Sequence, residues 1–191
     1  DDKIAAANTY LTAAFVQCTA AAARNRRLIL TALVPVRMYA TGELPTPSLL
    51  ARYDLTDRYG DLVDAVSTGN VGAFNRAMDR HRDWYIAAGV YLLVERLQVY
   101  VHRTLCARAC RILASLPGGS VQVKLPALLA AFHAAGADVD ADELECIVAS
   151  LVYRKLLRGY LSHKPPVLVL AKVGAFESLP ALLARQASGA R

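Results

Sequence analysis

Six side chains in one stretch of the sequence, Arg154, Lys155, Arg158, His163, Lys164 and Lys172, are suited to one chemistry, the binding of a polyanion. No carboxylate lies between Glu145 and Glu177 to offset them. Clustered Lys and Arg neutralise phosphates and release the counterions that surround them. A second acid-free interval, from Arg96 to Ala137, adds Arg103, Arg108 and Lys124 as further candidate phosphate contacts. The competing use of such charge is a solvated basic surface that only keeps the protein soluble. No Asn, Gln or aromatic cluster accompanies the set, so backbone recognition with little sequence readout is expected. Tyr153 and Trp84 read as core aromatics before they read as base-stacking platforms.

The chain offers little for catalysis. It contains no Gly-x-Ser-x-Gly elbow, phosphate-cradling glycine loop or His-Glu-x-x-His helix. His81, His102, His133 and His163 are far apart in sequence. Cys18, Cys106, Cys110 and Cys146 form no C-x-x-C pair. His102, Cys106 and Cys110 recur one helical turn apart, but no fourth ligand accompanies them, so buried reduced thiols are expected rather than a metal site. No cofactor is called for.

The elements that must position the basic residues are a capped helix and a hairpin. Asp140 can accept from a first-turn amide, Glu143 can reach back to it, and Val139 with Leu144 makes a hydrophobic staple. Asp142 and Glu145 suit the positive end of the helix dipole. Leu144, Ile147, Val148, Leu151, Val152 and Leu156 then recur at helical steps, leaving Ser150, Arg154 and Arg158 on the opposite face. Gly159 is the expected stop. Tyr160 to Ser162 can extend, Pro165-Pro166 bars helix, and Val167 to Ala171 reads as the returning strand. Upstream, Val101 to Leu116 is a helix closed by Pro117-Gly118-Gly119, Ser120 to Lys124 is a short strand or loop, and Pro126 to Ala135 is a helix ended by Gly136. Helix, helix, capped helix and hairpin is the order of a winged helix.

What precedes is helical throughout. Ala5 to Ala23 has Tyr10, Leu11, Ala14, Phe15 and Cys18 on one face, and Arg24 to Arg27 reads as a polar joint. Leu28 to Ala40 is a very apolar helix that Pro35 should kink or break. Gly42, Pro45 and Pro47 make a loop, Pro47 opening a short helix through Tyr53. Helices follow over Asp57 to Thr68, Val71 to about Arg80, and Asp83 to about Gln98, the last a spine with Trp84, Ala87, Ala88, Tyr91, Leu92 and Glu95 on one face and a second apolar face beside it. Short helices joined by short loops suggest an α-solenoid, although no exact repeat is present.

Composition agrees with this reading. The 191 residues are 55% hydrophobic, rich in Leu and Ala, with mean hydropathy +0.29, a formal net charge of +6 and a pI near 9.3. That is too apolar for a disordered chain and enough for one domain or two small ones sharing a core. No apolar run approaches a membrane span, and no basic start with an apolar signal core points to secretion, so an intracellular location is expected. Because the chain opens on Asp1 and not Met, it is expected to be a portion of a longer protein.

A helical array with a terminal winged helix resembles the PCI domain, shared by subunits of the proteasome lid, the signalosome and a translation initiation factor. The closer resemblance is to the subgroup containing the PCI-domain subunit of the nuclear transcription-and-export complex. It is carried by Asn25 to Leu30, Leu33-Val34-Pro35-Val36-Arg37-Met38, Gly42 to Thr46, Leu49-Leu50, Tyr53, Ala65-Val66, Gly69-Asn70, Phe74 and His81. Gly89 to Leu92, Glu95-Arg96-Leu97, Asp138-Val139-Asp140, Glu143, Glu145 to Ala149, Leu151-Val152-Tyr153, Gly159 to His163 and Val169 continue it over nearly the whole chain. Two segments depart from the family pattern. His102 to Arg108 stands where the family has Tyr-Arg-Asn-Leu-Phe-Lys-Lys, and Gly174 to Glu177 where it has Asn-Pro-Phe-Pro.

The resemblance implies a mainly α fold, a right-handed helical-repeat (TPR-like) array over 1–98 followed by a winged helix with a small hairpin over 99–176 and a tail over 177–191. It implies a non-catalytic adaptor in the nucleus, at or near the nuclear pore. The expected partners are a large scaffold subunit with its own PCI domain, a small acidic protein that clamps PCI modules, and RNA or DNA on a platform of two winged helices, coupling transcription to messenger RNA export. The alternative is a purely structural PCI subunit, as in the signalosome or lid, whose winged helix makes only protein contacts.

Overall fold

A computed structural model of the chain describes residues 2–116 and 122–189, and within them two compact units. The first comprises residues up to 64, 74–98 and those from 179 on. It opens with α1 (Asp2–Gln17) packed on α2 (Ala23–Thr41). The stretch Arg24 to Arg27, expected as a joint, is instead the start of α2. Arg favours helix, and the Arg26 guanidinium bonds back to the Cys18 carbonyl at 2.7 and 3.0 Å, satisfying an acceptor just past the end of α1. Tyr10, expected on the packed face of α1, is 75% exposed.

Pro35 does not interrupt α2. Proline removes the amide that would bond to the carbonyl four residues earlier, here that of Thr31. The buried Tyr59 hydroxyl donates to that carbonyl at 2.6 Å, so the acceptor orphaned by Pro35 is satisfied from another helix. Gly42, left-handed at φ +70°, closes α2.

Pro47 opens α3 (Pro47–Arg52) as expected, with the Thr46 hydroxyl accepting from the Leu49 amide at 3.3 Å. Next come α4 (Thr56–Thr68) and α5 (Val71–Ala87). The break expected between Arg80 and Asp83 is absent, because charged residues continue a helix well and His81 and Tyr85 are buried there. The stop falls at Gly89 (φ +71°), whose amide bonds to Ile86 O at 3.0 Å while the Val90 amide bonds to Tyr85 O at 2.9 Å. The expected spine is therefore divided, and α6 (Tyr91–Arg96) is a separate short helix packed on α2, with Leu92 70% exposed.

The second unit comprises 65–73 and 99–178. In chain order it contains α7 (Gln98–Ser115), β1 (Gln122–Lys124), α8 (Leu125–Ala134), α9 (Ala141–Tyr153), β2 (Gly159–Ser162) and β3 (Val167–Leu170). The expected stop at Pro117-Gly118-Gly119 and the first residues of the strand, Ser120 and Val121, lie outside the described residues. The sheet is antiparallel in the order β1-β3-β2, which together with three helices is the winged-helix arrangement. Val123, Leu128, Phe132, Leu144, Val148, Leu151, Leu157 and Leu168 fill its core. The turn after α4 approaches α7 so closely that a Cβ on Gly69 would lie 2.5 Å from the Leu105 nitrogen.

Past β3 the chain returns to the first unit as α10 (Leu179–Gly189), which packs on α2 and buries Leu182. The protein is thus mainly α, as expected, with a small winged-helix sheet. Among the described residues no helix is long and apolar enough to cross a membrane.

Candidate nucleic-acid interface

The capping box that starts α9 is formed in both directions. The Glu143 amide donates to Asp140 Oδ1 at 2.8 Å, and the Asp140 amide donates to Glu143 Oε2 at 3.1 Å. The other end differs from the expectation. α9 stops at Tyr153, well before Gly159. Lys155 takes the left-handed conformation at φ +58°, its amide bonding to Val152 O at 2.9 Å, and the Leu156 amide bonds back to Leu151 O at 2.9 Å. This is the paired-bond ending that usually uses glycine, and the two positions it brings together, Leu151 and Leu156, are both buried. A non-glycine residue there costs roughly 1–2 kcal/mol of backbone strain.

Arg154 and Arg158 thus lie beyond the helix whose outer face the spacing assigns them, and Lys155 lies with them. They lie in the turn that leads from α9 into β2, all exposed. Backbone bonds hold this turn against the segment after β3: the Arg158 amide donates to Ala175 O at 3.0 Å, and the Ala171 amide donates to Arg158 O at 2.9 Å. Lys172, also exposed, is the next residue along. Arg158 and Lys172 thus share one end of the sheet.

The remaining wing residues sit at the opposite end. Val167 is paired with both Lys124 and Ser162, and the Leu125 amide donates to Pro166 O at 3.1 Å. Lys124 on β1 therefore stands beside the hairpin turn that carries His163 and Lys164. Four to five residues along the strands separate the two basic ends, roughly 15 Å. At the turn end, His163 Nδ1 is 3.0 Å from Glu145 Oε1, so the acidic start of α9 reaches one of the wing residues.

Two of the candidates are committed elsewhere. Arg103 is only 6% exposed, and its Nε donates to Leu156 O at 2.9 Å while Nη2 donates to Glu177 O. It is a buried tether for the α9–β2 turn and the post-β3 segment rather than a surface charge. Burial works against its charge and lowers its pKa, and the charges of Tyr100 and Glu177 offset part of that effect. Arg108 is exposed on α7, and its Nη1 donates to Thr68 O at 2.6 Å, satisfying a carbonyl at the end of α4.

The structure adds residues that the spacing did not suggest. Tyr153 is 88% exposed and not a core aromatic, and Tyr160 is 60% exposed on β2. Trp84 stays within the aromatic cluster, edge-on to Tyr59 and Tyr85. Tyr153 occupies the last turn of α9, where the apolar stripe has already rotated away, and an exact helix end would have revealed it. Cys106 and Cys110 are buried, as core packing expects, and Cys146 is exposed. Among the described residues no group of His, Cys, Asp or Glu could hold a metal ion.

A helical unit and a winged helix bearing exposed basic residues define a class of protein module, and sequence comparison says which. A protein from Caenorhabditis briggsae named PCI domain-containing protein 2 homolog is 38% identical over 180 residues, covering 94% of this chain and 42% of its own length. The homolog of that name from Drosophila melanogaster is 41% identical over 180 residues, 94% of this chain and 44% of its own. PCI domain-containing protein 2 from Danio rerio is 34% identical over 183 residues, 95% of this chain and 44% of its own. The chain belongs to the PCI-domain proteins. It spans about two fifths of the length of these relatives. No protein-family model matches it.

Proposed function

We propose that this chain is part of a non-catalytic PCI-domain adaptor in the nucleus that docks on a scaffold subunit and contributes a basic winged helix to a nucleic-acid platform. The observation that carries the reading is the exposure of Lys155, Arg158 and Lys172 at one end of the wing sheet and of Lys124 and Lys164 at the other. Two basic ends roughly 15 Å apart suit a phosphate backbone running along the sheet. His163, whose Nδ1 faces Glu145 at 3.0 Å, sits with Lys164 at the second end, and Arg154 belongs to the first. Arg103 shapes the site from beneath.

The partners are those of an export complex: a large subunit with its own PCI domain, a small acidic clamping protein, and RNA or DNA held through phosphates. Messenger RNA export coupled to transcription is the process they serve. The relatives named PCI domain-containing protein 2 support the family part of this reading.

The test is a titration with a duplex and with a single strand at several salt concentrations. Every cation that binds a phosphate steepens the plot of log affinity against log salt by about one unit. Arg158→Glu with Lys164→Glu is therefore expected to reduce the slope by about two. Unchanged affinity and slope would sink the proposal.

A further inference from the structure

The sheet of the winged helix has an outer face, and its composition is specific. Side chains alternate between faces along a strand, and residues paired across strands share a face. Val123, Leu168 and Leu161 are in register, with Val123 and Leu168 buried, so they define the inner face. The two flanking rows point outward. One is Gln122, Val169 and Tyr160, the other Lys124, Val167 and Ser162.

Tyr160 is 60% exposed on this face, beside the half-buried Val169. It is held there by its own strand pairing and by Gly159, where a Cβ would lie 2.4 Å from Val169 O and push β2 away from β3. The backbone beneath Tyr160 is therefore held in place, with the ring exposed on the outer face. Lys124 shares the face, two strands across and two residues along, about 12 Å from Tyr160 by ideal sheet spacing. Arg158 and Lys172 flank the face at one end and Lys164 at the other, and none of the three strands carries a carboxylate. An aromatic set between cations is the arrangement that takes a base on its ring and phosphates on its flanks.

We infer that the outer face of the wing sheet binds a single-stranded polynucleotide, with Tyr160 stacking on a base and Lys124, Arg158 and Lys164 holding the adjoining phosphates. The inference rests on the reading of the wing as a phosphate-binding surface, and it narrows the ligand from any polyanion to unpaired strands with accessible bases. A duplex buries its base faces in its own stack, so Tyr160 contributes nothing to duplex binding.

The experiment compares wild type, Tyr160→Ala, Tyr160→Phe and Lys124→Glu on four probes: an oligouridylate, an oligothymidylate, a duplex and an abasic phosphodiester strand, all of equal length. Tyr160→Ala is expected to weaken the two base-containing single strands roughly five- to a hundredfold, the effect of one unstacked base, with the duplex and abasic strand unaffected. Tyr160→Phe keeps the ring and is expected to bind like wild type. Lys124→Glu weakens all four. Equal effects on oligouridylate and oligothymidylate assign the site to single strands in general, and an effect on one alone assigns it to that polymer.

If Tyr160→Ala binds the single strands as well as wild type does, or weakens on the abasic strand equally, the sheet-face inference is overturned while the phosphate platform stands. If wild type binds none of the probes, both fall. If Tyr160→Ala instead abolishes capture of a protein partner while all nucleic-acid affinities hold, the face is a protein interface and the inference is overturned.

Discussion

The Tyr59 hydroxyl donates at 2.6 Å to the carbonyl of Thr31, the acceptor that Pro35 leaves without a helical donor. The two positions therefore depend on each other. Removing the hydroxyl strands a buried carbonyl only while position 35 is proline, so Tyr59→Phe is expected to cost about 1–3 kcal/mol in the native background. Pro35→Ala restores an amide to the helix, and in that background the same change should cost less. A double-mutant cycle by urea denaturation measures the difference. No coupling would mean that the carbonyl has another source of hydrogen bonding.

Arg103 bridges two carbonyls, those of Leu156 and Glu177, from a buried position. Arg103→Ala is expected to destabilise the protein by about 2–4 kcal/mol, since two acceptors are deprived of a charged donor together. Arg103→Lys restores the charge without the fork that serves both acceptors, so it should recover only part of that stability. For the fraction that remains folded, the salt slope of nucleic-acid binding should equal that of wild type. A slope reduced by one unit would return Arg103 to the contact surface.

Lys155 allows charge and stability to be moved in opposite directions. Lys155→Gly relieves the left-handed strain and is expected to raise stability by roughly 1 kcal/mol. It also removes a cation from the proposed interface, lowering the salt slope by about one unit. Thermal melts and salt titrations of the one variant check both. A variant that is more stable and binds unchanged would exclude Lys155 from the interface.

His102 on α7 packs against Phe132 with ring centroids 5.8 Å apart, and burial lowers its pKa to about 4. In the unfolded chain the group titrates near 6.5, so between these values the unfolded state binds the proton that the folded state refuses. Its contribution is fully present above pH 6.5 and is lost as pH falls toward 4, by at most about 3 kcal/mol. Wild type and His102→Gln, compared by urea denaturation across that window, should diverge, the variant showing the shallower dependence. Parallel curves would show that His102 titrates normally.

Thiol reactivity should follow burial. Burial pushes the Cys110 thiol up to about 11 and the Cys106 thiol higher, while Cys146 is exposed on α9. Cys146→Ser is expected to remove the fastest phase of labelling by a disulfide reagent in the native protein, leaving a slower phase from the half-buried Cys18. Cys106 and Cys110 should label only on unfolding. A fast phase that survives the substitution would contradict this assignment.

Much of this fold was legible in the residues. The α9 cap, the hairpin around Pro165-Pro166 and the end of α4 at Thr68 are local effects of chain chemistry, and each appears where the residues place it. The misreadings share one cause. A charged run at Arg24 to Arg27 or Arg80 to Asp83 looks like a joint, yet it continues a helix when a neighbouring element buries the other face. Pro35 looks like a break because its rescue comes from Tyr59, in a different helix. Lys155 ends α9 because the closing backbone bonds leave Leu151 and Leu156 both buried, which outweighs the strain a glycine would have avoided.

By itself the sequence determined the class of fold and the presence of a basic wing, because helix caps, apolar spacing and net charge are properties of neighbouring residues. Only the tertiary structure decided which charges face solvent. It buried Arg103 beneath the turn whose Arg154, Lys155 and Arg158 it holds in place, and it turned Tyr160 outward because register with Leu168 commits the alternate residues of β2 to the core. Side-chain direction on a short strand is set by its partner strand, and that partner is chosen only when the whole unit folds.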